Sequence, residues 1–425
     1  VLDPRTLSAR RAEIEESCRR RGVAPDLEAA TAAQERVAAL QTALGELGRR
    51  RNEHQSEGRG QLSPDERKAH AEAGRRLKEE VAARERELAE AQAELEARLG
   101  AIPNLVHPEV PAGGEGHFRE LRRVGEPPRF AFRPRDHLAL GEALRLVDFE
   151  AGARVAGQKF FFLVNEAVVL DLALQRFALD LAARAGFTPY ATPDVARRAI
   201  VDGLAFSPRG PETQIYSLAG TDLDLVGTAE ITLGGYCADR IFEETELPVR
   251  MVGISHCFRT EAGAAGRESR GLYRVHQFTK VELFALTRPE DSEAMHAEIL
   301  DLEEEIFRRL EIPYRVIEVA AGDLGAPAWR KFDIEAWMPG RGDGGGFGEV
   351  TSASNCTDYQ ARRLRIRFRR AGARRNELVH TLNGTAVATS RALIALLENH
   401  QRADASVELP AALRPYAGID RIGPR

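Results

Sequence analysis

The sequence predicts an α+β fold, in which a helical N-terminal arm precedes a larger domain of mixed strands and helices. Three observations carry this reading. Residues 1–100 are rich in Ala, Glu, Arg and Leu without glycine clusters, and the Pro- and Gly-bearing stretch from Ile102 to Gly114 then breaks the pattern. Before the break, leucines and valines recur at helical and heptad spacing. Beyond it, the segments Met251–Glu261 and Gly271–Glu282 alternate as strands do.

The elements follow in order. A short helix is expected over about Pro4–Arg21, ended by Gly22. A second begins near Asp26 and carries Leu27, Val37, Leu40, Leu44 and Leu47 on one side. A third starts at Ser63, with Pro64 at its first position and Glu66 returning to the cap as in a capping box. Its Leu77, Val81, Leu88, Leu95 and Leu99 repeat like a coiled-coil seam. The two long segments pair as an antiparallel hairpin over about 26–99, with Glu53–Leu62 at the tip and an arm of roughly 55 Å. Such a projection either binds something extended or mediates association. Arg49, Arg50, Arg51 and Arg59 lie near the tip, where a run of cations suits phosphate or is simply a solvated face.

After a linker over 101–117, the second domain runs from 118 to 425. Val155–Leu163 reads as a strand. Glu166–Ala185 reads as a helix with Val169, Leu172, Leu174, Phe177 and Leu181 on its apolar side, facing either a core or an interface. In the strand Met251–Glu261, alternation puts Arg259 and Glu261 on one face. In the next, Arg274, His276, Phe278, Lys280 and Glu282 share a face, opposite Tyr273, Val275, Val281 and Leu283. Phe278 and Glu282 then stand roughly 13 Å apart, about the span from a base ring to the amine of an aminoacyl-nucleotide. Activating a carboxylate with ATP needs a cation at the α-phosphate, an aromatic platform for adenine and an acid for the substrate ammonium. Arg259, Phe278 and Glu282 supply these types in that order, although an Arg and a Glu two apart on a sheet face also make an ordinary solvated ion pair.

At these residues the chain resembles the class II aminoacyl-tRNA synthetases, and within them the seryl-tRNA synthetase family. Three further blocks match in the expected order: Thr228-Ala229-Glu230, the segment Glu349–Arg363, and Asn383–Arg391 running into the helical Ala392–Asn399. The resemblance implies an antiparallel-sheet class II catalytic domain with a tRNA-binding coiled-coil arm. Thr228, Ala229, Glu230, Arg259, Glu282, Asn383 and Thr385 would bind L-serine. Arg259, Thr260, Glu261, Val275, Phe278, Glu349, Val350, Thr351, Ser352 and Arg391 would bind ATP, with Arg259 and Arg391 catalytic at the α- and γ-phosphates. Glu349 and Ser352 would hold Mg2+, and Arg49, Arg50, Arg51 and Arg59 would meet tRNA(Ser), with selenocysteine tRNA a second candidate acceptor. The helix at 166–185, the following short strand and Pro193 resemble the first class II motif, which implies a homodimer. Thr385 stands where bacterial members usually carry serine, and Ala386, Ala388 and Ser390 replace a glycine-richer lead-in to Arg391.

Composition narrows the classes. A formal charge of −5 excludes a uniformly basic nucleic-acid binder, so RNA contact must come from local patches. Cys18, Cys237, Cys257 and Cys356 show no paired spacing, so neither a disulfide framework nor a cysteine zinc site is expected. No apolar run reaches ~18 residues, so no membrane partner is expected. The absence of an Arg/Ser-rich leader favours a bacterial cytoplasm. The segments Lys331–Gly340, Thr351–Cys356 and Tyr416–Ile422 resemble the mitochondrial branch, which makes the mitochondrial matrix the alternative. Two other readings share parts of this pattern: an inactive coiled-coil paralogue, expected to lack Arg259, Glu282 or Arg391, and a carrier-protein amino-acid ligase, expected to lack the arm.

Overall fold

A computed structural model describes residues 1–58, 63–206, 214–261 and 271–424. The chain divides into two compact units, Val1–Leu105 and Val106–Arg425.

In the first unit the expected opening helix is split. Asp3 caps a single 3-10 turn, Pro4–Thr6, and the α-helix α1 spans Arg11–Arg20 before Gly22 turns the chain at φ +70°. Helix α2 (Leu27–Glu57) starts from Asp26, whose carboxylate accepts from the Ala29 amide at 2.9 Å. Helix α3 (Pro64–Gly100) opens with the expected capping box: the Ser63 amide donates to Glu66 Oε2 at 2.8 Å and the Glu66 amide to Ser63 Oγ at 3.4 Å. Arg36 meets Glu94, Arg50 meets Glu80, and His54 stacks on His70. One index rises as the other falls, so the helices are antiparallel. Their seam buries Leu27, Ala30, Ala33, Val37 and Leu47 with Leu77, Ala91, Leu95 and Leu99, whereas Leu40, Leu44, Val81 and Leu88 are half-buried. The expected tip is too long, because α2 continues through Glu53–Glu57 to Gly58. The His54 and His70 rings, 3.7 Å apart, occupy the space beside that last turn, and a Cβ on Gly58 would fall 2.3 Å from His70 Nε2. Arg59 lies outside the described residues.

The second unit is built on an eight-stranded sheet. In chain order its strands are β1 (Arg119–Val124), β2 (Thr188–Ala191), β3 (Val249–Phe258), β4 (Gln277–Thr287), β5 (Tyr314–Glu318), β6 (Arg330–Met338), β7 (Gly346–Asn355) and β8 (His380–Ala388). The spatial order is β1-β5-β6-β7-β8-β4-β3-β2, antiparallel except where β2 runs parallel to β3. The helices that matter for the site are α4 (Phe149–Ala156), α5 (Glu166–Arg184), α6 (Ala229–Tyr236), α7 (Ser292–Arg309) and α8 (Thr389–Asn399). Residues from α5, α7 and α8 join Val281, Leu283, Ala353, Ala386 and Val387 of the sheet in the main core. Among the described residues no helix is long and apolar enough to cross a membrane.

Two expectations are corrected here. Val155–Leu163 is not a strand. Asp148 caps α4, Gly157 ends it at φ +104°, and Phe162–Leu163 alone is extended. The aromatic run at 160–162 imitates a strand pattern, while the cap and the glycine decide the backbone. Helix α5 ends at Arg184 and buries Leu170, Leu174, Phe177 and Leu181, but Val169 is 39 % and Leu172 60 % exposed. With apolar residues most of the way round, its spacing does not reveal its orientation.

Two β-bulges set which residues face away from α7. In β7, Thr351 pairs with Ile334 and Glu349 with Glu335, so Val350 is the extra residue; in β8, Thr385 pairs with Glu282 and Val387 with Val281, so Ala386 is. Each bulge reverses the alternation, and Glu349 and Ser352, three apart, come to one face, as do Thr385 and Ala388. Gly384 points the other way, where a Cβ would meet Ile299 Cγ2 at 2.2 Å and Glu303 Oε1 at 2.8 Å. Gly384→Ala is therefore expected to destabilise the second unit by about 1–3 kcal/mol, the scale of core overpacking. Urea unfolding of the variant checks this, and an unchanged midpoint would show that α7 can yield.

Candidate active site

The strand pairing brings the sequence motifs to one place. Strand β3 ends at Phe258, so Arg259, Thr260 and Glu261 lie beyond it, with Glu261 at φ +51°. Strand β4 starts only at Gln277, which corrects the expected alternation before it. His276 turns to the Arg259 carbonyl at 2.9 Å, while Tyr273, Arg274 and Val275 all reach the cavity lining. Within β4 the alternation holds: Phe278, Lys280 and Glu282 line the cavity, and Val281 and Leu283 enter the core.

The cavity has a volume of about 360 Å3. One end is acidic. Thr228 caps α6 by accepting from the Glu230 amide at 3.3 Å, which sets Glu230 in the first turn. Glu230 Oε1 accepts from Gln360 Nε2 at 2.6 Å and Asn383 Nδ2 at 3.0 Å. Glu282 Oε2 accepts from Lys280 Nζ at 2.6 Å and Thr385 Oγ1 at 3.3 Å. Each carboxylate thus has one oxygen engaged by protein donors, with the other outside these contacts. Burial, with Glu282 second, pushes Glu230 up to about 7. Burial also raises Glu282, against the pull of Lys280.

The cavity also carries cations. The Arg259 guanidinium donates to the Gly227 carbonyl at 3.3 Å through Nη2 and lies 5.3 Å from the Phe278 ring centre and 5.8 Å from that of Phe206. Arg391, in the first turn of α8, pairs with Glu349 Oε1 at 2.9 Å and donates to the Glu349 carbonyl at 3.2 Å. The guanidinium carbons of Arg391 and Arg341 each lie 4.7 Å from the centre of the Tyr273 ring, and the Tyr273 hydroxyl donates to the Glu349 carbonyl at 3.3 Å. Burial acts to raise the Glu349 carboxyl, but Arg391 and Lys331 outweigh it and hold the group well below the usual carboxylate range. Lys331 in turn pairs with Asp333 at 3.3 Å.

Most of the residues singled out in the sequence converge here, and a few do not. Ala229 packs in a smaller core with Leu233 and Met251, and Thr260 is not among the lining residues. Val350 touches the lining but belongs to the main core, and Thr351 turns its hydroxyl to Glu303 Oε2 at 2.9 Å. In the first unit Arg49 and Arg50 are 75 % and 62 % exposed, opposite Glu46 and Glu80 at 4.0 and 3.9 Å, and Arg51 is exposed. Sequence reasoning gave no site role to Lys280, Lys331, Gln360 or Tyr273. Lys280 carried a signal, since it shares the strand face of Phe278 and Glu282; the others are joined to the site by tertiary pairing. Among the described residues no group of three or more His, Cys, Asp or Glu side chains could hold a metal ion. The hard oxygens on the bulged face of β7 are those of Glu349 and Ser352, so a cation there would complete its shell from phosphate and water.

Comparisons with known proteins agree along the whole length. Residues 220–400 match the tRNA synthetase class II core domain (G, H, P, S and T), and residues 1–106 match the seryl-tRNA synthetase N-terminal domain. The chain is 54 % identical to a serine–tRNA ligase of Rubrobacter xylanophilus, covering 100 % of this chain and 99 % of that one. It is 50 % identical to one from Treponema denticola, covering 100 % of both. The crystal structure of seryl-tRNA synthetase from Pyrococcus horikoshii complexed with ATP superposes with a TM-score of 0.86 at 38 % identity, covering 100 % of both chains.

Glu230 gives a test in pH. Its carboxyl is raised from an ordinary 4.5 to about 7, so the folded protein holds this proton more tightly than the unfolded chain. That stabilisation is complete below the unfolded pKa and is lost as pH rises through the folded one. Between pH about 5 and about 7.5 the melting temperature of the native protein should therefore fall relative to that of Glu230→Gln, which has no proton to lose. Parallel curves would show that Glu230 is not so perturbed.

Proposed function

This chain belongs to the seryl-tRNA synthetase family, a class II serine–tRNA ligase, and from that premise we propose how its residues divide the reaction. The observation that carries the proposal is the charge set of one cavity, lined both by two half-engaged carboxylates and by Arg259 and Arg391. Glu230 and Glu282 receive the serine ammonium through their second oxygens. Asn383 and Thr385 meet the hydroxyl, and a site that hydrogen-bonds a hydroxyl rejects alanine because its polar groups would be left unpaired. Phe278 and Val275 flank the adenine.

In the first step a serine carboxylate oxygen attacks the α-phosphorus of ATP, the bond to the bridging oxygen breaks, and pyrophosphate leaves. Arg259 offsets the charge that grows at the α-phosphate, and Arg391 holds the γ-phosphate. Glu349 and Ser352 would hold Mg2+, which neutralises phosphate charge when bound; Glu349, kept ionised by Arg391 and Lys331, suits that task. In the second step a hydroxyl of the terminal ribose of tRNA(Ser) attacks the seryl carbonyl and AMP leaves. No protein nucleophile is used, so positioning and electrostatics carry the catalysis.

The hairpin of α2 and α3, within a domain of residues 1–100, grips tRNA through Arg49, Arg50 and Arg51, and residues 118–425 form the catalytic domain. The exposed apolar side chains Val168, Val169 and Leu172, within five residues on helix α5, support a homodimer, because an apolar face of this kind is usually covered. The bacterial sources of the two relatives support a bacterial cytoplasm.

One experiment separates the two domains. Arg259→Ala should lower serine-dependent ATP–pyrophosphate exchange by at least ~10²-fold in a folded protein, the scale of one lost transition-state contact. Replacing residues 26–99 with a short linker should spare exchange and abolish most tRNA charging. Normal exchange in the first variant, or full charging in the second, would overturn the corresponding role.

A further inference from the structure

Lysine is scarce in this chain: against 55 arginines there are five lysines, at 68, 78, 159, 280 and 331. Two of them, Lys280 and Lys331, line the cavity. Where arginine serves nearly everywhere else, a retained lysine marks a place that suits a compact ammonium rather than a planar fork. Lys280 occupies such a place. It is 6 % exposed, its Nζ lies 2.6 Å from Glu282 Oε2, and the same oxygen accepts from Thr385 Oγ1 at 3.3 Å.

The charges at this end can be counted. Glu230 and Glu282 bring two carboxyls. Gln360, Asn383 and Thr385 donate hydrogen bonds without charge, Lys280 is the cation paired with Glu282, and Arg259 acts on both carboxyls without a hydrogen bond to either and is answered by the ligand's own carboxylate and phosphate. Buried carboxylates call for matching cations. With Lys280 present, one further ammonium completes the balance, and serine carries one. A ligand with two ammonium groups would bring a cation too many, and its second one would be driven against Lys280 beside Thr385, where the side-chain hydroxyl of serine is read.

We propose that Lys280 is a specificity-determining residue: a resident ammonium that fills one of two cation places at the acidic end, so that the site admits a hydroxyl side chain and refuses an aminated one. This rests on the reading that serine binds between Glu230 and Glu282. The discriminated ligand class is the β-amino analogue of serine, L-2,3-diaminopropionate, which matches serine in size and carries an amine in place of the hydroxyl. Repulsion built against the wrong ligand, rather than a better fit to the right one, makes the distinction.

The test measures kcat/KM in amino-acid-dependent ATP–pyrophosphate exchange for serine and for L-2,3-diaminopropionate, above about pH 7, where Glu230 is ionised and an aliphatic side-chain amine is still protonated. In the native protein the analogue should be a poor substrate and a weak competitor of serine. In Lys280→Met, and in the uncharged but hydrogen-bonding Lys280→Gln, the ratio of analogue to serine should rise at least ~10-fold, because the second ammonium can take the vacated place against Glu282. Loss of structure would lower both substrates together and leave the ratio unmoved, so an unchanged ratio in folded variants overturns the proposal. So does strong competition by the analogue in the native protein, which needs no variant. If the native protein exchanges with another amino acid and not with serine, the functional reading fails instead, and the two failures are told apart.

Discussion

Two carboxylates in one cavity are the constraint on which the rest of the site depends. Glu230 and Glu282 are brought together by α6 and β4, and each raises the cost of ionising the other when both are removed from water. The neighbouring residues reduce that cost. Gln360 and Asn383 donate to one acid, and Lys280 and Thr385 to the other. What remains after these bonds is a shortage of positive charge that an amino-acid ammonium can meet. On the proposed reading, affinity for such a ligand is stored in the fold as an electrostatic imbalance, held in place by helix α6 and strands β4 and β8.

The part of the cavity around Glu349 and Arg391 is ordered by backbone geometry. Were β7 regular, Glu349 and Ser352, three apart, would face opposite sides; were β8 regular, Thr385 and Ala388 would not share a side. Arg391 then ties α8 to β7 through both the side chain and the carbonyl of Glu349, and Tyr273 donates to that same carbonyl. Helix α7 supports both bulged strands from the core side, through Glu303 against Thr351 and Ile299 against Gly384. Chemistry on one face of the sheet therefore depends on close packing on the other.

Much of this was legible in the sequence, for identifiable reasons. The hairpin could be read because caps and heptads are local signals: Asp26, Ser63 and Glu66 act where their types indicate. The cavity residues of β4 could be read because alternation is local too. What escaped depends on distant parts of the chain. Neither bulge has a glycine to announce it, since Val350 and Ala386 look like ordinary strand residues. Gln360 reaches Glu230 across 130 positions. Helix α5 turns Leu174, Phe177 and Leu181 into the core and leaves Val169 and Leu172 exposed, a division that an almost uniformly apolar helix does not reveal in its spacing. The strand expected at 155–163 failed where Asp148 and Gly157 outweighed an aromatic run. Lys280 was within reach of sequence reasoning, and its weight became apparent only beside Glu282 and Thr385.

The most direct measurement is ATP–pyrophosphate exchange by the purified protein with each common amino acid supplied in turn. Exchange should depend on serine, with alanine, glycine and threonine far behind, if Glu230 and Glu282 hold the ammonium and Asn383 and Thr385 read the hydroxyl as proposed. Exchange driven equally well by alanine, or by no amino acid at all, would contradict the assignment of Glu230, Glu282, Asn383 and Thr385 as a serine site.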